Sequence, residues 1–158
     1  MKKTIAIALM IALLVALLPA AAFAASPNGQ TKVYRINTKS VWVHSSASAS
    51  AKRIGYLTKD TAFTVTKKSG SWYKVKTLRL GKIGWIYSGS GYVASGAYAK
   101  VNTKETGLNI RKTINGTVLG SAPKGSKVYV QYISGNWVKL TYKKLTGWSY
   151  KKYLKWLA

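Results

Sequence analysis

Ser69-Gly70-Ser71-Trp72-Tyr73-Lys74-Val75-Lys76 decides the reading of this chain, because it returns 65 residues later as Ser134-Gly135-Asn136-Trp137-Val138-Lys139-Leu140-Thr141. In each copy a short polar turn carrying Gly leads into a Trp-led segment. Successive side chains of a strand point to opposite faces. Trp72 therefore shares a face with Lys74, and Trp137 with Lys139. Tyr73 with Val75, and Val138 with Leu140, take the inward face. A polar turn opening an alternating strand, present twice, predicts an all-β duplication.

The repeat extends outward from this pair. Residues 55–76 align with residues 120–141 without a gap, and seven of the 22 positions are identical. Asp60 falls opposite Gly125, two residue types that accept turn geometry. A hairpin two residues shorter in the second copy then brings Gly84-Trp85 onto Gly147-Trp148, and Tyr92-Val93 onto Tyr153-Leu154. Short alternating runs such as Lys32-Val33-Tyr34-Arg35-Ile36 and Ala62-Phe63-Thr64-Val65-Thr66 are separated by turn signals. No window holds helical spacing over three turns. The expected organisation is a leader over residues 25–31, one small barrel over 32–94, a linker over 95–99 and a second barrel over 100–158. The alternative is a single pseudo-symmetric sandwich of about 130 residues.

The first 24 residues read as a cleaved signal peptide. Met1-Lys2-Lys3 is basic, residues 5–18 are uncharged and apolar, and Ala22-Phe23-Ala24 offers a small-x-small cleavage site. The run is shorter than the ~20 residues a membrane span needs. There is no Cys, which removes disulfides and thiolate metal sites. A cysteine-free exported chain with a Lys-Lys signal fits a bacterial, Gram-positive product. Of 26 Lys and Arg, 24 lie beyond the signal against only Asp60 and Glu105, leaving +22 shared evenly by the two copies. Such a one-signed field favours polyanions. The cations are 22 Lys, counting the signal, and 4 Arg. Lys is a flexible point charge that suits dispersed phosphates better than a fixed bidentate pocket.

The ordered motifs of the second copy resemble the bacterial SH3-like (SH3b) repeat of secreted wall proteins. Leu108-Asn109-Ile110-Arg111 is similar to that family's opening Leu-Asn-Val-Arg. Thr117-Val118-Leu119-Gly120 resembles its Val-Ile-Gly strand, and Lys124-Gly125-Ser126-Lys127-Val128 its Lys-Gly-Thr-x-Val. Trp137-Val138-Lys139-Leu140 and Thr146-Gly147-Trp148-Ser149 match its two Trp strands. The first copy is more diverged: Val41-Trp42-Val43-His44 stands for the opening motif, with Trp42 in the place of Asn and His44 in the place of Arg. The resemblance implies short, strongly bent β-barrels and non-catalytic attachment to the bacterial cell wall.

Residue inventory argues against an enzyme. Glycoside cleavage takes two carboxylates across one bond, and Asp60 and Glu105 lie in different copies. A hydrolytic zinc site needs about three ligands, and His44 is the one histidine. A serine triad would rest wholly on His44. No cofactor is expected. The expected ligand-contacting residues are Trp42, Tyr56, Trp72, Lys74, Tyr129, Trp137 and Lys139. Trp42 has no Trp counterpart in the second copy and points outward if Val41 and Val43 point in. Trp85 and Trp148 follow Gly and are expected in the core or its seam. The expected partner is a cell-wall polymer, peptidoglycan or teichoic acid, with two weak sites on a short linker reinforcing each other. An anionic membrane surface is a second partner class, through the Lys- and aromatic-rich tail Tyr150-Lys151-Lys152-Tyr153-Leu154-Lys155-Trp156-Leu157-Ala158, which otherwise reads as a closing strand with a short frayed end. Export argues against nucleic acid. A cationic antimicrobial protein, or an inhibitor of another secreted protein, are the competing functional classes.

Overall fold

The computed structural model describes residues 29–158; the expected signal segment and most of the expected leader lie outside the described residues. The fold is all-β. The first copy supplies β1 (Thr31–Ile36), β2 (Ser40–His44), β3 (Arg53–Thr58), β4 (Ala62–Ser69), β5 (Trp72–Thr77), β6 (Ile83–Tyr87) and β7 (Val93–Ser95). The second supplies β8 (Ala97–Val101), β9 (Leu108–Arg111), β10 (Val118–Ala122), β11 (Lys127–Ser134), β12 (Trp137–Tyr142), β13 (Leu145–Tyr150) and, after a 3-10 turn at Lys151–Tyr153, β14 (Leu154–Trp156). The tail is thus a closing strand, paired with β8.

The duplication is complete at the level of hydrogen bonding. Each antiparallel pair within the first unit, β1–β4, β1–β7, β2–β3, β2–β6, β4–β5 and β5–β6, has its counterpart in the second. Even the irregularities repeat. The β4–β5 register shifts between Val65 and Lys67, and the β11–β12 register between Val130 and Tyr132, 65 residues on. Such a bulge bends the strand and increases its twist. The opening stretch is the turn between these strands, with Gly70 at φ 51° and Gly135 at φ 54°. Asp60 at φ 65° sits where Gly125 has φ 83°, so the Asp–Gly exchange follows a left-handed backbone present in both units. Gly84 and Gly147 are required for closeness instead. A Cβ on Gly84 would stand 2.2 Å from Val43 Cγ1, and one on Gly147 2.4 Å from the Arg111 carbonyl oxygen.

Two features correct the expected organisation. Residues 95–99 are not a tether. Ser95 ends β7, Gly96 turns at φ 67°, and Ala97 and Ala99 are fully buried in β8, which pairs along β11. The cause is apolar alternation in Ala97-Tyr98-Ala99-Lys100-Val101, a strand pattern that small residues conceal. The second feature is β1. Its second half pairs with β4 and β7, while Thr31 and Lys32 pair with Ile133 and Tyr132 of β11. One path therefore runs β10-β9-β13-β12-β11-β1-β4-β5-β6-β2-β3 and stays open at both ends, so the two tandem units are joined through β1.

The cores follow the same plan. Ile36, Val41, Phe63, Val75 and Ile86 fill the first unit. The second is filled by residues such as Val101, Ile110, Val128, Val138 and Leu140, and the same cluster takes in Val33 and Ala62 from the first unit, with Leu78 packed against it. Tyr129 clamps the junction. Its hydroxyl donates to the Ser95 carbonyl at 2.7 Å, and its ring lies where any side chain on Gly96 would have to go. Arg35 stacks on Tyr98 at 5.2 Å and reaches Asp60 at 3.6 Å.

Candidate ligand-binding groove

The outer end of the second unit carries an open groove of about 940 Å3. Its aromatic wall is a ladder. Trp137 opens β12, directly across from Tyr150 on β13, with ring centroids 5.2 Å apart and planes at 87°. Tyr150 in turn meets Tyr153 of the 3-10 turn at 6.2 Å. The amide of Lys151 donates to the Asn136 carbonyl at 2.8 Å, which ties the turn back to the Gly135 hairpin. Lys152 lies over both tyrosine rings, at 5.2 and 4.9 Å. Rings with accessible faces beside cations suit flat sugar rings, peptide groups and anionic substituents.

The opposite wall is the loop between β8 and β9, residues 102–107, which carries Lys104 and Glu105. The loop is pinned from within and from the side. The Thr103 hydroxyl donates to the Thr106 carbonyl, and the Lys124 ammonium to the Lys104 carbonyl. Arg111 and Asn109 of β9 complete the lining. Arg111 donates to the Gly116 carbonyl at 2.8 Å, so its guanidinium is held in place with further N–H groups to offer.

The first unit contains the same ladder in altered form. Trp72, Tyr87 and Tyr92 occupy the positions of Trp137, Tyr150 and Tyr153, with centroids 5.9 and 5.2 Å apart. Its β1–β2 loop is only residues 37–39, too short to build a facing wall. His44 takes the place of Arg111. Its Nδ1 lies 3.0 Å from the Ala51 carbonyl, tying the following loop as Arg111 does, and its ring packs edge-on against Trp72 at 5.1 Å. His44 is thus buried and engaged. Asp60 faces Arg35, Glu105 stands in the other unit, and among the described residues no three His, Cys, Asp or Glu side chains gather.

The expected contact residues fall in four places. Trp137 lines the groove, and Lys139 stands two residues along the same strand, across from the buried Trp148. Trp72 and Lys74 hold the matching positions in the first unit, Lys74 lying across from Trp85. Trp42 and Tyr56 form an exposed cross-strand pair on β2 and β3, Trp42 two residues before His44. Tyr129 is a junction residue and is not brought to the groove. The groove also draws on Tyr150, Lys152 and Tyr153 of the tail, on Arg111 and on Glu105, none of them among the expected wall-polymer contacts. The signal for Tyr150 was the repeated Gly-Trp-x-Tyr, Gly84 to Tyr87 and Gly147 to Tyr150, whose Tyr returns beside the Trp of the neighbouring strand.

Burial raises the Tyr34 phenol above its ordinary pKa, against a partial lowering by Lys68 and small further raises from Tyr73 and Tyr132. These groups, drawn from β1, β4, β5 and β11, mark the junction between the units.

Two copies of one short-stranded β unit, each with a Gly-Trp seam and an aromatic ladder, define a duplicated SH3-like module. The model of the bacterial SH3 domain matches residues 39–98 and 106–155, and the chain belongs to that family. No curated protein matches the chain. Among solved structures, NlpC2 from Trichomonas vaginalis aligns at a TM-score of 0.41 and 16% identity, over 84% of this chain and 50% of that one. NlpC1 from the same organism aligns at 0.40 and 17%, over 84% of this chain and 48% of that one. The chain thus spans about half the length of these proteins.

Proposed function

We propose that this chain is a secreted, non-catalytic protein that binds the bacterial cell wall, with the groove of the second unit as its principal site. The observation that carries this reading is the Trp137–Tyr150–Tyr153 ladder lining one open groove together with Arg111 and Lys152. Aromatic faces hold sugar rings or peptide planes, and Arg111 and Lys152 attract the carboxylates or phosphates of wall polymers. The +22 field beyond the signal segment adds a diffuse, salt-sensitive attraction to teichoic acid. The family resemblance and the export signal support the location. The carboxylate inventory supports a binding role: Asp60 is engaged by Arg35 and Glu105 has no second acid near it in sequence.

The test is co-sedimentation of the protein with purified Gram-positive walls, before and after teichoic acid is stripped. The protein is expected in the pellet. Tyr153→Ala, at a half-exposed ring, is expected to weaken pelleting about thirtyfold, the effect of removing an anchor side chain worth ~2 kcal/mol. Full retention of the wild type in the supernatant at low salt would sink the proposal. Persistence after stripping assigns the ligand to peptide or glycan, and loss assigns it to the anionic polymer.

A further inference from the structure

The two units differ on a face of the first unit whose counterpart in the second includes Asn109 of the groove lining. On the first unit Trp42, Ile54, Tyr56, Leu80 and Ile83 are exposed at 49, 51, 62, 66 and 54%. They form one patch. Trp42 and Tyr56 touch across β2 and β3 with centroids 6.1 Å apart. Ile54, Tyr56 and Ile83 border one cavity of about 240 Å3, and Tyr56 and Leu80 border its neighbour. The second unit has Asn109 in place of Trp42, Ser121 in place of Tyr56 and Thr146 in place of Ile83, and its shorter hairpin has no counterpart of Leu80. There Leu145 packs against the second core, while its counterpart in the first unit is Lys82, at the rim of both cavities. At Trp42, Tyr56 and Ile83 the same fold is made with polar residues, while Ile54 has the exposed Leu119 as its counterpart, so these three apolar side chains are not needed to build it. Contiguous exposed apolar surface of this kind marks a docking site.

Charge says what docks. Arg53 lies over the Trp42 ring at 4.9 Å, and Arg79 and Lys82 border the cavities. The one acidic side chain of this unit, Asp60, is engaged by Arg35, and Ala158 borders the second cavity beside Arg79 and Lys82. A short apolar and aromatic cap with a rim of long cations is the chemistry of the boundary between lipid headgroups and acyl chains. The rings and aliphatic groups enter, and Arg and Lys reach back to the phosphates. We infer that this face of the first unit docks onto an anionic lipid bilayer, independently of the wall-binding groove on the second. A protein attached in this way would bridge wall and membrane, with the two contacts fixed on one continuous sheet.

Vesicles of phosphatidylglycerol and phosphatidylcholine, compared with phosphatidylcholine alone at about 0.15 M salt, test the assignment. The protein is expected to bind the mixed vesicles and not the neutral ones. The triple substitution Trp42→Asn, Tyr56→Ser, Ile83→Thr, which installs the residues of the second unit, is expected to reduce binding at least tenfold while wall pelleting and thermal stability stay unchanged. Lipid brominated on its acyl chains is expected to quench the tryptophan emission of the wild type, and Trp42→Phe to remove that quenching without loss of binding. Equal vesicle binding by the triple variant would reduce the attraction to net charge and overturn the inference. Absence of binding to the mixed vesicles, or binding without acyl-chain quenching, would overturn it as well.

Discussion

The first and second units share strand order, pairings, the β-bulge and the positive-φ turn, yet present different surfaces. The second extends its β8–β9 loop and opens a walled aromatic groove. The first shortens that loop, packs His44 on its ladder, and exposes Trp42, Tyr56, Leu80 and Ile83. Duplication relaxes the demand on each copy. Inward positions stay apolar because both cores must be filled, while outward positions are free to diverge toward separate contacts.

The comparison breaks most decisively if the units are separable. Val33 and Ala62 belong to the cluster that fills the second unit, and β1 pairs with both β4 and β11. The whole protein is expected to melt in a single cooperative transition. Residues 97–158 alone are expected to lose that transition, since they leave the β11 edge and part of the core uncovered. Calorimetry of the full chain checks this, and two resolved transitions would show that the units fold independently.

Next come the residues that tie the loop after β2 and after β9. Arg111→Ala is expected to lower stability by about 2 kcal/mol, because it removes a charged hydrogen bond from a partly buried carbonyl. His44→Ala is expected to cost about 1 kcal/mol, and His44→Arg to restore it if the two residues do the same work. Urea unfolding of the three variants measures these differences. A neutral His44→Ala would separate the roles.

The smallest effect concerns pH. The Tyr34 phenol is raised in the folded state, chiefly by burial. Its contribution is therefore fully present below the unfolded value of about 10 and is lost as pH rises through the higher folded value. The melting temperature is expected to fall above pH 10, and Tyr34→Phe to make that fall shallower. An unchanged slope in Tyr34→Phe would place the alkaline sensitivity in other groups.

Much of the fold was legible because a strand reports its inward face locally. Val75, Val138 and Leu140 alternate with Trp72, Trp137 and Lys139, and the alternation survives in the structure. The outward exposure of Trp42 followed from the burial of Val41 and Val43 by the same rule. The junction was not legible. Ala97 and Ala99 carry so little side chain that their burial leaves a weak signal, and the pairing of Thr31 with Ile133 spans about 100 residues. The groove was half legible. Trp137 stood out by repetition, but Tyr150, Tyr153 and Arg111 meet it through cross-strand register and the 3-10 turn, and no local spacing encodes that meeting.

By itself the sequence determined the duplication, the all-β class, the charge, the residue types available for chemistry and the Asp60–Gly125 turn. Those properties are local or additive, so they can be counted along the chain. Only the tertiary structure decided that the two units are one sheet, that Tyr129 clamps the junction, that one ladder is walled into a groove, and that Trp42, Tyr56, Leu80 and Ile83 converge on one face. These depend on which distant strands hydrogen-bond and in what register, and register is set by the simultaneous packing of both cores.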